Sequence, residues 1–550
     1  MVLTTTLNLL SLDSDQKLHL ADELIVLIFS HFQLPTAIEI GRDRYETAHV
    51  PDTGANIYHD DTAYYGANVI PDAEIRLRLS TLAALCKCSN RFRRLAEPLL
   101  YHTYPGQGVA DPARFIHSLQ ARPQLAIHVK EMALDVWNSM HWGAIKELAP
   151  NGNASSWWEQ QVKVRGLSDH LLSLIDRAAK KGHPDALVIQ LLLYCSQLEV
   201  LDLASPFLMT SMLPPLIAEL LQCRPNTWWR GGDQAFAAPQ PVDGLPLRFL
   251  RELSVHFADA NHIAGIQQLE PLCRLHTVQK FTCYRFTSEA DFLTNMYNLQ
   301  ELCLWRCTFN EESLMAALTM CKPLKRLIII WGGFKVSSGE MMRSDIHNNL
   351  SSYGKILRRH HAGIEVLKLD MRELIDANFN AKATLGSLAE LTSLRELALP
   401  DFALMGGPYD NLGHKTDGPR TQLTDTLPTS LRKLSVFCQR SLTLAAATSS
   451  AIAYKAVDAR ECHIDEQQLS RLMACPRFSR LQEIHLDVMA PLEMSATECG
   501  WVADMKFRDP EVARPGAVVG TMGDKQAKRE SVKMNEILQN VQTVRLRKLK

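Results

Sequence analysis

The sequence predicts an α/β fold, an irregular solenoid with parallel strands on its concave side and helices on its convex side, preceded by a small all-α module. Three observations predict this architecture. A short apolar motif recurs along residues 125–490, segments of helical period separate its copies, and two apolar helical segments near the N-terminus lie outside the repeats. Because one strand–helix unit cannot bury its own apolar face, such units must stack and share a core.

The recurring motif is L-x-x-L-x-L, with apolar residues at positions one, four and six. Positions four and six alternate, which is the period of a half-buried strand. Neighbouring copies start 21 to 69 residues apart, so the repeats are irregular and carry long insertions. Good copies begin at Leu198, Leu250, Val278, Leu299, Leu324, Ile364, Leu394, Leu431 and Leu481, and looser copies begin at Val129 and Val541.

The segments between the strands favour helices. "EESLMAALTMCKP" precedes the strand at Leu324, "DEQQLSRLMACPRFSR" precedes the strand at Leu481, and "SEADFLTNMYN" precedes the strand at Leu299. An Asp or Ser suits a helix start and a Pro suits a helix end. This alternation is similar to the leucine-rich repeat family, although the Asn that usually follows the strand is absent. The resemblance implies a curved surface that binds another macromolecule.

The strand positions between and just after the two strand leucines are expected to be exposed on the concave face. Aromatic side chains on such a face are common binding hot spots. An alternative is that insertion loops cover part of this face and the aromatic side chains pack beneath them, and both interpretations are open here. The predicted substrate-binding residues are His256, Tyr284, Trp305, Asp370, Phe437 and Asp487. Basic residues near the strands, such as Arg306 and Lys368, form no obvious cluster in the sequence.

The stretch "LADELIVLIFSHFQ", from Leu20 to Gln33, carries two apolar stripes, whereas a helix normally buries one. We expect one stripe to hold a small helical module together and the other to face a partner. Which stripe does which is open at this point. The first stripe contains Leu20, Leu24, Leu27 and Ile28, and the second contains Ile25, Phe29 and Phe32.

A loop rich in Gly, Pro, Asp and Tyr is predicted at about residues 34–76, because no helical or strand period lasts there. Helical periodicity resumes in residues 79–101. Ser89 or Asn90 can end one helix and cap the next. Leu82, Leu85 and Cys86 lie on one helical face, and Phe92 and Leu95 begin another stripe.

With the loop removed, the two helical segments resemble an F-box, a small three-helix module. The matching residues are Leu20, Glu23, Ile28, Phe29, Leu82, Cys86, Phe92 and Leu95. Ala21 stands where the family usually has Pro, Phe32 stands where it has Leu, and the loop is an insertion. The resemblance implies an adaptor-binding module at residues 20–101, with contacts from Leu20, Leu24, Ile25, Ile28, Phe29, Phe32, Leu82, Leu85, Cys86, Phe92 and Leu95.

An F-box followed by leucine-rich repeats is an order of modules found among fungal proteins. The resemblance implies a substrate-recognition adaptor of an SCF ubiquitin ligase. The F-box would bind the Skp-type adaptor, the repeats would hold a protein substrate, and the cullin scaffold would bring the ubiquitin-charged enzyme close. The alternative is a non-enzymatic repeat scaffold whose N-terminal helices only cap the solenoid.

Composition excludes several other classes. The 550 residues are 46% hydrophobic and 22% charged with a net charge of −1, which is unlike a basic nucleic-acid binder. No window is long and apolar enough for a membrane span, and the N-terminus does not resemble a signal peptide. Thirteen scattered cysteines fit reduced thiols, so we expect a cytoplasmic or nuclear protein. Residues 1–19 form an N-terminal extension, residues 102–490 the solenoid, and residues 491–550 a basic C-terminal extension that we expect to be partly disordered.

No enzyme motif is present. The sequence lacks the G-x-x-x-x-G-K-[ST] phosphate loop, the H-E-x-x-H zinc helix and the G-x-S-x-G elbow. We therefore expect no catalytic residues, no cofactor and no metal. The pair of histidines in "RRHHAG", Arg358 to Gly363, is interpreted as a solvated helix end.

Overall fold

The structure is a computed structural model in which one long sheet carries helices against one of its faces. It describes residues 21–37, 72–106, 112–134, 169–180, 185–205, 216–217, 247–257, 270–273, 275–284, 287–288, 296, 298–309, 311–331, 350–370, 384–406, 422–437, 442–444, 454–456, 464, 466–488, 501–507 and 542–548. No helix in these ranges is long and apolar enough to cross a membrane.

Three helices form the N-terminal module: α1 (Asp22–Ser30), α2 (Asp72–Cys88) and α3 (Asn90–His102). Helix α2 begins within the predicted loop, so the predicted end of that loop was wrong; residues 38–71 lie outside the described part of the chain. The earlier start has a physical reason. Ile75 is buried and packs with Leu34, and Asp72 and Glu74 in the first turn favour the positive end of the helix dipole.

The remaining helices follow in chain order. They are α4 (Pro112–Ala121), α5 (Asp169–Lys180), α6 (Asp185–Tyr194), α7 (Glu270–Cys273), α8 (Glu311–Met320), α9 (Leu350–His360), α10 (Asp401–Met405), α11 (Leu423–Thr426) and α12 (Glu466–Ala474), with 3-10 helices at Pro123–His128 and Pro476–Phe478. The predicted helices before Leu324 and Leu481 are confirmed by α8 and α12. The one predicted before Leu299 lies mostly outside the described residues.

The strands are β1 (Thr103–Tyr104), β2 (Glu131–Leu134), β3 (Val200–Ser205), β4 (Glu252–Phe257), β5 (Lys280–Tyr284), β6 (Thr287–Ser288), β7 (Glu301–Phe309), β8 (Arg326–Trp331), β9 (Val366–Asp370), β10 (Glu396–Pro400), β11 (Lys433–Phe437), β12 (Leu442–Leu444), β13 (Tyr454–Ala456), β14 (Glu483–Val488), β15 (Trp501–Phe507) and β16 (Gln542–Lys548). The sheet order is β1-β2-β3-β4-β5-β7-β8-β9-β10-β11-β14-β16-β15, parallel from β1 to β14. Strand β6 pairs with β7, and β12 with β13.

The C-terminal strands correct one prediction. Strand β16 pairs antiparallel with both β14 and β15, so the motif at Val541 is not a last parallel repeat. Two parts of residues 491–550 are strands of the sheet, and the other residues of this extension, on which the expectation of partial disorder falls, lie outside the described part of the chain. An antiparallel strand needs the same alternation of apolar residues as a parallel one, which is why the motif alone misled.

The repeats stack through one recurring backbone arrangement. The carbonyl oxygen at the second motif position accepts two N–H groups from the next repeat. The carbonyl of Glu199 accepts from Arg251 at 2.8 Å and from Glu252 at 3.1 Å, and the carbonyl of Arg432 accepts from Gln482 at 2.8 Å. The same pairing joins every good copy from Leu198 to Leu481 to its neighbour. The first motif residue is buried in each copy, so the repeat places an apolar anchor directly before the strand.

The N–H of the first motif residue is also satisfied in a regular way. It bonds the carbonyl three residues earlier, as from Leu198 to Cys195 at 3.2 Å, in all good copies but one. At Leu324 the N–H is instead bonded to Nδ1 of His361 at 3.0 Å, and Nε2 of His361 bonds the carbonyl of Leu318 at 2.7 Å. His361 is fully buried, so the prediction of a solvated helix end was wrong for this residue.

A close backbone approach fixes the position of α9. Gly354 of this helix is buried, and a Cβ built on it would clash with the carbonyl oxygen of Leu385. The guanidinium of Arg358, one turn later, donates to that carbonyl at 2.8 Å and to the carbonyl of Ser387 at 2.9 Å. Helix α9 therefore packs against residues 385–387, and there is no room for a side chain at position 354.

We expect Gly354→Ala to lower the free energy of unfolding by about 1–3 kcal/mol, because the added methyl group forces the helix and the backbone apart. Gly363→Ala is the matched control, since a Cβ at Gly363 would meet nothing within 4 Å. Urea unfolding of the two variants gives the comparison. Equal stability of the two variants would show that α9 does not pack this closely.

We expect His361 to make stability depend on pH. Burial lowers the pKa of His361, so the folded state holds a neutral imidazole that accepts from Leu324. The stabilising contribution is complete above about pH 6.5 and falls as the pH drops below that value, because only the unfolded chain then takes up the proton.

Urea unfolding of the parent protein and of His361→Gln at pH 8 and pH 5.5 checks this expectation. The parent should be more stable by about 1–2 kcal/mol at the higher pH, and this advantage should shrink at the lower pH. His360→Gln, which changes the adjacent and partly exposed histidine, is the control. An advantage that stays constant between the two pH values contradicts the assignment.

Candidate interaction surfaces

Helix α1 uses its second apolar stripe to hold the N-terminal module together. Ile25 and Phe29 are each 4% exposed and pack in one cluster with Leu82 and Cys86 of α2. The ring of Phe29 meets the ring of Phe92 edge-on, with centroids 5.4 Å apart. The same cluster is covered by the partly buried side chains of Phe32, Leu85, Phe92 and Leu95.

The first stripe of α1 faces outward. Leu24 is 49% exposed, Leu27 is 60% exposed and Ile28 is 38% exposed, at helical spacings of three and four residues. We call these three residues the α1 stripe. Leu77 on α2 is also exposed. Leu20 lies outside the described residues.

This arrangement divides the residues that the sequence predicts to bind the adaptor into exposed and buried ones. Leu24 and Ile28 are exposed, whereas Ile25, Phe29, Leu82 and Cys86 are buried inside the module. The buried residues cannot contact a partner without unfolding the module, and they serve as its core. Their burial against α2 and α3 also differs from the capping alternative, in which the second stripe of α1 would pack onto the first repeat.

Ion pairs fix the start of α1 against α3. Asp22 accepts from Nε of Arg91 at 2.8 Å and from Arg94 at 2.7 Å. The hydrogen bond from Arg91 lowers the pKa of the Asp22 carboxyl group. Because Asp22 lies in the first turn, these contacts hold the orientation of the α1 stripe relative to the rest of the module.

The module is joined to the sheet without a linker. Helix α3 ends at His102 and β1 begins at Thr103, where it pairs with β2. Arg122 donates to both carboxylate oxygens of Glu97 at 2.6 Å, and the N–H of Ala37 donates to Glu131 at 2.9 Å. These contacts give the α1 stripe a fixed direction relative to the sheet.

A pocket of about 340 Å³ lies at this junction. Burial lowers the pKa of His102, one of its lining residues, which favours a neutral imidazole there. The pocket is lined by Pro98, His102, Ile127, His128, Lys130, Glu131, Glu199 and Val200. In the described part of the chain no group of three or more His, Cys, Asp or Glu side chains is arranged to hold a metal ion.

Three of the predicted substrate-binding residues lie in one row across the sheet. The register aligns His256 with Tyr284, and Tyr284 with Trp305. The rings stack, with centroids 4.4 Å apart for the first pair and 5.7 Å for the second. Nε2 of His256 also hydrogen-bonds Asp202, a buried residue that the sequence prediction missed although it lies at motif position five.

Most of the predicted binding residues are buried. His256 is 0% exposed, Phe437 is 2% exposed, and Asp370 and Tyr284 are also buried, whereas Trp305 is half-buried. Asp487 aligns with Phe437 in the register, but its side chain lies outside the described part. Their role in substrate binding remains a prediction. Burial favours the covered-face alternative for His256, Tyr284, Asp370 and Phe437.

The starts of the strands form an accessible part of this sheet face. Glu252, Lys280 and Arg326, the first residues of their strands, are all partly exposed. By contrast, the next residues on the same face, such as Ser254 and Thr282, are buried. A partner that contacts the sheet therefore meets the charged strand starts first.

The buried thiols are unreactive. Burial raises the pKa of Cys303 and of Cys321 to about 11, so both are neutral thiols at physiological pH. Cys88 is the exposed exception among the free cysteines in the described ranges. These thiols act as small apolar core residues.

The two stripes of α1 should respond differently to truncation. We expect Phe29→Ala to destabilise the module by about 3 kcal/mol, because it leaves a cavity beside Phe92 and Leu82. Leu27→Ala should cost less than about 0.5 kcal/mol, since its side chain is largely exposed. Thermal unfolding followed by circular dichroism compares them. Similar losses from both substitutions would mean that Leu27 is buried as well.

The repeat region matches a known protein family. The family model described as a leucine-rich repeat domain matches residues 174–447. No curated protein matches the sequence significantly. The match coincides with the stacked parallel strands β3 to β11 and confirms the predicted repeat architecture over this range. Residues 174–447 therefore form a leucine-rich repeat domain, a kind of domain that points to a protein-interaction scaffold.

Proposed function

We propose that this protein is the substrate-recognition adaptor of an SCF-type ubiquitin ligase. In this proposal the N-terminal module binds the Skp-type adaptor, and the leucine-rich repeat domain binds a protein substrate. The observation that carries the proposal is the α1 stripe, which leaves Leu24, Leu27 and Ile28 exposed on a helix whose other stripe is already buried.

Exposure of such an apolar stripe to water is unfavourable, and a partner that buries the stripe removes this unfavourable contribution. Large apolar side chains placed three and four residues apart are the anchors that a helix uses in a hydrophobic groove. Full burial of each would contribute about 1.5–3 kcal/mol. Exposed apolar patches of this type mark protein-interaction sites.

The connection between module and sheet supports the same proposal. A ligase adaptor works by proximity, since a substrate lysine held near the charged enzyme reacts at a high effective concentration. A rigid connection through β1 and the Arg122–Glu97 pair preserves that geometry better than a flexible linker would. The chain itself needs no catalytic residue and no cofactor, and it would act in the cytoplasm or nucleus with the cullin scaffold.

The second candidate is a leucine-rich repeat scaffold without any link to a ubiquitin ligase. It is favoured by the family match, which covers residues 174–447 and not the N-terminal module. In this case the α1 stripe would contact another protein or another part of an assembly. The two candidates differ in one measurable property, which is binding to the Skp-type adaptor.

We expect the purified full-length chain to retain the Skp-type adaptor in a pull-down, and Leu24→Asp with Leu27→Asp to abolish retention. Both side chains are exposed, so the charges should disrupt the contact and leave the module folded. Phe29 is unsuitable for this test because it is buried, and an Asp there would unfold the module.

Met320→Asp is the matched control, because Met320 is a large apolar side chain that is 56% exposed on a helix of the repeat domain. It should retain the adaptor like the parent chain. Circular dichroism of all variants shows that they are folded. Failure of the intact chain to bind the adaptor would overturn the ligase proposal and leave the scaffold candidate.

A further inference from the structure

The second half of the repeat sheet collects basic side chains at its accessible edge. They lie at the second and third motif positions, with one more inside β9. We call this set the basic rim, and it consists of Lys325, Arg326, Lys368, Arg395, Arg432 and Lys433. Lys325, Arg395 and Arg432 are exposed, and the other three are partly exposed. The sequence alone showed no such cluster, because up to 108 residues separate its members.

The backbone arrangement that stacks the repeats places these residues side by side. The carbonyl of Lys325 accepts from the N–H of Glu365. In the same way the carbonyl of Glu365 accepts from the N–H of Arg395, and the carbonyl of Arg395 accepts from the N–H of Arg432, each at 2.8 Å. Lys325 and Arg432 are thus three strand steps apart. With about 4.8 Å for each step, they lie within about 14 Å of each other.

Acidic neighbours neutralise only part of the basic rim. Glu365 pairs with Arg395 at 3.5 Å, Glu396 with Lys368 at 3.6 Å, and Glu483 with Lys433 at 3.7 Å. Six basic side chains thus lie among four carboxylates, because Glu301 also lies beside Arg326 in the strand register. Within the described ranges, the ones that form no ion pair are Lys325, Arg326 and Arg432.

The charges around Lys368 act in both directions. Burial lowers the pKa of Lys368, Glu396 raises it, and the positive charges of Arg326 and Lys433 lower it. Lys368 therefore lies near two other cations as well as near Glu396. A different balance holds in the first half of the sheet, where the hydrogen bond and charge of Glu252 raise the pKa of Lys280 against the opposing effect of burial.

We propose that the basic rim binds an acidic segment of the protein substrate, through carboxylate or phosphate groups that occupy the positions beside Lys325, Arg326 and Arg432. A segment of about four or five extended residues spans the rim. Charge-assisted hydrogen bonds from arginine to such anions are strong and directional. This proposal rests on the proposed function only in that it calls the bound protein a substrate. An acidic partner of a plain scaffold would bind in the same way.

Fluorescence anisotropy with the full-length chain and labelled peptides tests the proposal. The probes are a peptide of alternating Glu and Gly, its analogue with phosphoserine in place of Glu, and its neutral analogue with Gln. We expect both anionic peptides to bind and the neutral peptide not to bind. The better of the two anionic probes identifies the group that the rim prefers. Arg326→Gln with Arg432→Gln should weaken binding about tenfold or more.

Lys280→Gln is the matched control, because it removes a cation from the same row of the sheet where Glu252 already neutralises it at 2.9 Å. It should leave the peptide affinity unchanged. An equal loss in the control and in the rim variant would overturn the proposal, as would tighter binding of a single-stranded oligonucleotide than of either anionic peptide.

The result is separable from the ligase proposal. The peptide assay contains no Skp-type adaptor, and the rim variant should still retain that adaptor in the pull-down because its substitutions lie in the repeat domain. Adaptor binding without peptide binding would overturn the rim assignment alone. Peptide binding without adaptor binding would support the rim and overturn the ligase proposal.

Discussion

The whole repeat array depends on one backbone contact, the carbonyl at the second motif position that accepts two N–H groups from the next strand. It recurs from the carbonyl of Glu199 to that of Arg432. The buried apolar residue just before it, such as Leu198 or Leu481, fixes where each strand starts. Each repeat contributes one such carbonyl and one apolar anchor, so insertions of very different length are accommodated between strands while the register stays constant. At Leu324 the N–H of this apolar residue bonds a buried histidine instead of the carbonyl three residues earlier.

The N-terminal module and the repeat domain expose different kinds of surface. The module divides the apolar residues of α1 between its own core and the solvent. The repeat domain buries the middle of its strands and leaves their charged starts accessible. Both accessible surfaces belong to rigid elements, because α3 continues into β1 and each strand start is held by the backbone of its neighbour. The described part of the chain thus presents the α1 stripe and the basic rim on a single continuous framework.

Much of the fold could be predicted from the sequence, because apolar periodicity reports directly on burial. The strands at Leu198 to Leu481 and the helices α8 and α12 follow the predicted pattern. What the pattern could not predict depends on distant residues. The direction of β16 is set by its partners, the burial of His361 by Leu318 and Leu324, and the basic rim by the stacking of four repeats. Which stripe of α1 would be buried was also undecidable, since both are equally apolar.

The carbonyl arrangement also bears on how such a protein can change its partner. Stability at the second motif position comes from the main chain, which every residue type other than proline supplies in the same form. The side chains there, as at Glu199, Gln279 and Arg432, are exposed or partly exposed and differ in charge. At the second motif position the backbone therefore contributes to stability, and the side chains are available for recognition. A new specificity can arise at this edge by single substitutions that leave the packing of the solenoid intact.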